Sequence, residues 1–294
     1  MTSTMRAEAL AIPDLVARAL GGQGDVIAAV AAAIRAFRPK GVVTVARGTS
    51  DHAADYALRL IARETGLIAT SLPPSLVTLA PTPLRFEGQL VLALSQSGRS
   101  PDVVQTVRAA RAGGALTVAV VNAPQSPLAE AAELVVAADA GPEHAVAATK
   151  SYVLTLLQVA RLVAAWAGDA ELARALPALP TALAAGTAAD WQALVDALAD
   201  ATALFVVGRG LAHATAREAA LKLKETCLVH AEAVSGAEIM HGPKALIDAA
   251  QPLLLCAGPD VPADVQRATA GELAALTRRL HVLGAVDAGH GRHL

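Results

Sequence analysis

Residues 92–102 read LALSQSGRSPD, an apolar strand that ends in Ser95, Gln96, Ser97, Gly98 and Ser100 before Pro101 starts a helix. A serine at the N-cap and a proline at the first helical position leave backbone N–H groups unpaired at the helix start. With the serine hydroxyls and a flexible glycine they make a compact cradle suited to an anion such as phosphate. One serine here would only cap a turn, whereas Ser-Gln-Ser-Gly-x-Ser favours phosphate. Gly48, Thr49 and Ser50 form a second hydroxyl-bearing loop after the strand at Val42–Ala46. Open α/β sheets bind ligands outside the carboxyl ends of their strands, so the two loops suit two walls of one pocket, although the second also reads as a capping turn. A third loop, AVAATK from Ala145 to Lys150, carries Thr149 and Lys150 into a long helix and reads equally as a helix start.

The ionisable residues concentrate between Arg217 and His241, in REAALKLKETCLVHAEAVSGAEIMH. Glu218, Lys222 and Glu225 recur at i, i+4 and i+7, which on a helix sets Lys222 between two carboxylates. That spacing alone reads as a solvated salt-bridge face. The following turn at Ser235-Gly236 and the corner His241-Gly242-Pro243 add an imidazole beside a helix start. A neutral histidine and a carboxylate in one pocket can move protons near pH 7. Of five lysines in the chain, four (Lys150, Lys222, Lys224, Lys244) fall in these segments.

The elements that must hold these residues follow from periodicity. Short β-branched runs alternate with Ala- and Leu-rich stretches of helical spacing, the order of an α/β fold with parallel strands and crossover helices. In a first lobe, strands are expected at Val42–Ala46, Ile68–Leu72, Leu90–Leu94, Leu116–Val121 and Leu134–Ala137, with helices at Ala53–Thr65, Pro101–Ala112 and Lys150–Ala167. A Pro- and Ala-rich stretch, Leu176–Gly186, marks the crossing to a second lobe with strands at Leu204–Val207, Leu253–Cys256 and Val282–Ala285. The plan is a helical arm over 1–37, a first domain over 38–175, a linker and helix over 176–199, and a second domain over 200–294. VVTVARGTS and LFVVGRGLA both run a strand into Arg-Gly, which suggests a duplicated unit.

Composition excludes several classes. The chain has 294 residues, 54% hydrophobic but rich in alanine, and no uninterrupted apolar span of about twenty residues. No signal peptide is read at the start. Two cysteines, Cys227 and Cys256, make no disulfide framework and fit a reducing, cytoplasmic setting. A net charge of −2 and 2% aromatic residues give no support to a nucleic-acid surface. No metal-ligating set is read.

Taken together, GTS, SQSGRSPD, VAATK, ALKLKE and HAEAVSGAEIMHGPKALI resemble, in order and spacing, the signatures of the sugar isomerase (SIS) family. The likeness is to the isomerase part of glucosamine-6-phosphate synthase and its stand-alone deaminase relatives, and covers about Gly41 to Asp248. It implies two flavodoxin-like lobes, three-layered αβα, needing no cofactor. It implies that Gly48, Thr49, Ser50, Ser95, Gln96, Ser97 and Ser100 hold a sugar phosphate and that Val146 and Ala148 line the sugar, Ala148 departing from the family's serine. By the same resemblance Glu225 shuttles a proton between C1 and C2, His241 assists ring opening from the partner subunit of a homodimer, and Lys222 polarises the sugar oxygens.

Within the family, the synthase carries a glutaminase domain with an N-terminal cysteine, whereas this chain starts Met1-Thr2 and is expected not to draw ammonia from glutamine. Arg47 and the Arg99-Ser100 pair resemble the deaminase branch, which acts on glucosamine 6-phosphate or a galactosamine analogue. A sugar-phosphate-binding protein without turnover, a ligand-sensing regulator, and an isomerase or aminotransferase relative lacking the glutaminase domain are the alternatives. The strand at 282 is expected to be the last, leaving the second lobe incomplete, with an exposed apolar edge. No lysine follows Lys244 to supply the family's imine-forming tail, so turnover is expected to be poor.

Overall fold

The computed structural model describes residues 3–79, 83–284 and 292–293. It forms two compact units, Met1–Ala188 and Ala189–Leu294.

The first unit opens with three helices, α1 (Thr4–Leu10), α2 (Ile12–Leu20) and α3 (Gly24–Phe37). The chain then alternates through β1 (Gly41–Val45), α4 (Thr49–Thr65), β2 (Ala69–Ser71), the single turn α5 (Ser75–Thr78), β3 (Gln89–Ser95) and α6 (Pro101–Ala112). After β4 (Leu116–Val121), α7 (Pro127–Ala131) and β5 (Leu134–Ala137) come α8 (Lys150–Ala167), α9 (Ala170–Ala175) and α10 (Leu179–Ala188). The parallel strands lie in the order β2-β1-β3-β4-β5. A parallel sheet is covered on both faces, so its strands are continuously apolar. Accordingly β3 and β4 are buried throughout except at their first residues. Val91, Ala93, Ala119 and Val121 pack against Val103, Val107 and Leu128 of α6 and α7. The alternate residues Leu90, Leu92, Leu94, Val118 and Val120 are buried on the opposite face. The long α8 packs against α2, α3 and α4.

Two expectations for this unit are corrected. Helix α4 starts at Thr49 rather than Ala53. Gly48, at φ 55° and ψ −134°, turns the chain sharply enough for its carbonyl to accept the Asp51 and His52 N–H groups. The stretch 176–186, read as a crossing, is a 3₁₀ turn (Leu176–Ala178) followed by α10, which packs on α2 inside the first unit. Alanine-rich sequence favours helix enough to absorb prolines placed at helix starts.

The second unit comprises α11 (Gln192–Leu198), β6 (Ala203–Gly208), α12 (Ala212–Cys227), β7 (His230–Ser235), 3₁₀ turns at Glu238–His241 and Pro243–Leu246, β8 (Leu253–Cys256), α13 (Ala263–Ala274), β9 (Leu280–Leu283) and β10 (Arg292–His293). Read from one edge, the order is β7-β6-β8-β9-β10, again all parallel, so the two sheets share one topology. Leu204 and Val206 face Ala212, Ala216 and Ala220 of α12, while Phe205 and Val207 face Ala270 and Leu273 of α13.

Sequence periodicity misses β7, because HAEAVS places charged residues beside alanines of low strand propensity. It forms as an edge strand, with His230 and Glu232 exposed and Ala231 and Val234 buried. The strand expected at Val282–Ala285 is β9, two residues earlier, and Ala285 lies outside the described residues. It is not the last: the two-residue β10 pairs with it. No single described helix is long and apolar enough to cross a membrane.

Candidate functional site

In the first sheet, β1 and β3 are neighbours from which the chain departs in opposite directions, so their following loops flank the crevice at the switch in strand order. The β1 loop carries Gly48, Thr49 and Ser50 into the first turn of α4, with Thr49 and Ser50 half-buried. In the β3 loop, the Ser95 hydroxyl accepts the Gly98 N–H at 3.0 Å and the Ser97 hydroxyl accepts the Arg99 N–H at 3.3 Å. A hydroxyl that accepts such a bond keeps its own proton to donate, as an incoming phosphate oxygen requires. Gln96 and Ser97 are half-buried. Ser100 stands at the N-cap of α6 as expected, but its side chain makes no capping bond; the Ser100 carbonyl accepts the Val104 N–H at 3.0 Å instead.

Gly98 is required twice over. Its φ is 63°, and a Cβ there would fall 2.6 Å from Ser126 Cβ and 3.0 Å from a Val121 methyl. The Gly98 carbonyl accepts the Leu128 N–H at 3.0 Å, so α7 braces the loop from behind. Arg47 ties the two loops together, with Nε and Nη2 each 2.6 Å from Asp102 Oδ2. This half-exposed pair is worth about 0–1 kcal/mol, so its effect is positional. Asp102, the partner of Arg47, stands 55 positions away, and no local sequence pattern announces the pair.

The third loop is held by two carboxylates that sequence reasoning missed. Glu143 Oε1 accepts the Thr149 N–H at 2.9 Å and the Ser151 N–H at 3.2 Å, and its other oxygen accepts the Ser151 hydroxyl, capping α8. Glu8 of α1 accepts the His144 N–H at 2.7 Å and the Ala145 N–H at 3.2 Å. Lys150, buried at the start of α8, lies 3.6 Å from Glu8 and donates to the Pro142 carbonyl. Burial pushes the Glu8 carboxyl up, but the two N–H donors and Lys150 outweigh it and hold it below its ordinary value. Val146 is fully exposed and Ala148 half-buried on the loop so held.

In the second unit α12 assembles the cluster expected from its spacing. Lys222 Nζ lies 3.3 Å from Glu218 Oε1 and 2.7 Å from Glu225 Oε2. Glu218 is buried, while the Glu225 side chain is 40% exposed and thus open to an incoming molecule. His241 is exposed on a separate 3₁₀ turn, followed by Gly242. At the carboxyl ends of β6 and β8 in the second sheet the space is small. A cavity of about 20 Å³ remains, lined by Gly208, Gly236, Cys256, Gly258 and Gln266. Asp260 Oδ2 accepts the Leu211 N–H at 2.8 Å ahead of α12. Burial pushes the Cys256 thiol up to about 11.

A family model described as the SIS domain matches residues 37–165 and 197–280. The chain belongs to the SIS domain family. Among curated relatives of this SIS chain, glutamine–fructose-6-phosphate aminotransferase (isomerizing) of Symbiobacterium thermophilum is 38% identical over 76% of the chain and 38% of its own length. The chain therefore spans well under half of that relative. A solved structure from Silicibacter pomeroyi DSS-3, assigned as a phosphosugar isomerase, is 40% identical with a TM-score of 0.93, covering 100% of this chain and 89% of that one. The C-terminal domain of glucosamine-fructose-6-phosphate aminotransferase from Francisella tularensis shares the fold at 23% identity and a TM-score of 0.84, over 100% of this chain and 89% of that one.

Proposed function

We propose that this SIS chain is an amino-sugar-phosphate deaminase and isomerase, taking glucosamine 6-phosphate or a galactosamine analogue to the ketose phosphate and ammonia. The observation that carries the reading is Glu225, a partly exposed carboxylate held 2.7 Å from Lys222. Thr49, Ser50, Ser95, Gln96, Ser97 and Ser100 donate to the phosphate, Gly48 leaves room for its approach, and Val146 and Ala148 line the sugar. His241 assists ring opening. Glu225 then removes the proton from C2 of the open aldehyde, where the adjacent carbonyl acidifies it, and Lys222 steadies the oxygen that gains charge. Return of the proton to C1 leaves an imine at C2, which water hydrolyses to ketone and ammonia. The protein works as a homodimer and needs no cofactor.

Binding without turnover is the second reading, favoured by Ala148, which puts a methyl where a serine would offer the sugar a hydroxyl. Adding glucosamine 6-phosphate and assaying ammonia and fructose 6-phosphate separates the two. Equal amounts of both products are expected; bound ligand with no ammonia would establish the second reading.

A further inference from the structure

We propose that Glu8, on the leading helix α1, is a positioning residue for the sugar, holding the loop that carries Val146 and Ala148 in its binding shape, with Lys150 as its counter-ion. Helix α1 buries a single residue, and that residue is Glu8. A helix that packed only for stability would bury an apolar stripe. This one delivers a carboxylate across 136 positions of sequence to the His144 N–H. Both carboxylate oxygens are committed to consecutive backbone N–H groups, His144 and Ala145, so Glu8 dictates the path of the main chain just before Val146. From the other side, Lys150 grips the Pro142 carbonyl and Glu143 caps α8, leaving 146–148 as the short span between two fixed ends. A buried ion pair returns little net stability against its desolvation, so its retention here points to the geometry it imposes.

The inference rests on the reading that Val146 and Ala148 line the sugar. The test is calorimetric titration of the wild type, Glu8→Gln, Glu8→Asp and the double variant Glu8→Ala/Lys150→Met with glucosamine 6-phosphate and, separately, with inorganic phosphate. The double variant leaves no lone buried charge and so keeps a folded reference. Expected is a loss of about tenfold or more for the sugar phosphate in Glu8→Gln and in the double variant, with inorganic phosphate unchanged. Glu8→Asp should recover part of the loss, and the His144 and Ala145 amides should exchange faster in Glu8→Gln. Wild-type affinity in the double variant, or a parallel loss of both ligands, would overturn the role of Glu8 and leave the function standing. A wild type that binds inorganic phosphate but no sugar phosphate would overturn both.

Discussion

The two sheets share one strand order and one Arg-Gly step after the first strand, yet their crevices differ in what fills them. In the first, the chain after β1 and β3 presents Thr49, Ser50, Ser95, Ser97 and Ser100, and the carboxylate in the first turn of α6, Asp102, is drawn off to Arg47. In the second, Asp260, which follows β8 as Asp102 follows β3, turns to the backbone and takes the Leu211 N–H. A helix start is an anion site whichever anion occupies it. The second sheet answers it with its own side chain, and the first leaves hydroxyls at the corresponding loops. The frame supplies the position, and a handful of loop residues decide which groups stand there. The second unit carries its ionisable cluster, Glu218, Lys222 and Glu225, on α12.

This division of labour can be broken experimentally. The largest effect is expected from Glu225→Gln, which keeps shape and removes the base. Solvent-deuterium incorporation into the ketose phosphate should fall by about 10²–10⁴-fold while glucosamine 6-phosphate binds as before. Incorporation at the wild-type rate would remove the acid–base role from the second unit.

A pair of glycine variants sharpens the contrast. Gly98→Ala and Gly210→Ala both place a side chain at positive φ, 63° and 60°, against close neighbours. Each should cost about 2–5 kcal/mol in chemical denaturation, combining backbone strain with overpacking. Only Gly98→Ala should also weaken phosphate binding, because Gly210 abuts Asp260, the resident carboxylate. Equal loss of phosphate affinity in both would erase the distinction between the crevices.

The smallest effect concerns Cys256, whose thiol burial raises to about 11 beside the small cavity of the second sheet. A folded-state pKa above the unfolded one favours folding fully below the unfolded value, and that contribution is lost as pH rises towards 11. Stability should therefore fall over that alkaline window in the wild type and less so in Cys256→Ala. At neutral pH a thiol reagent should label exposed Cys227 and spare Cys256 until the chain unfolds.

Much of this was legible in the sequence where local signals suffice. Strands β4 and β5 and helices α6 and α8 lie at the bounds read from their apolar runs and caps, and the Glu218-Lys222-Glu225 face follows from helical spacing. Strand β7 was hidden because an edge strand with one partner tolerates alanine and charge. Glu8 and Asp260 were hidden for another reason: each acts on backbone far away in sequence, and no residue pattern near them announces a distant N–H. The hydroxyl loops of the first sheet were readable because Ser95, Ser97 and Ser100 are clustered in sequence, whereas Asp260 stands far from the N–H it accepts.

The central claim is that the first unit's serine loop recognises the phosphate of a sugar. Thermal unfolding of the wild type and Ser97→Ala, with increasing glucosamine 6-phosphate or unphosphorylated glucosamine, tests it most directly. The wild-type midpoint should climb with the logarithm of glucosamine 6-phosphate and ignore glucosamine. Ser97→Ala should need about ten to a hundred times more ligand for the same shift, the cost of one hydrogen bond to a charged group. Equal shifts with glucosamine, or a Ser97→Ala response indistinguishable from the wild type, would contradict the claim.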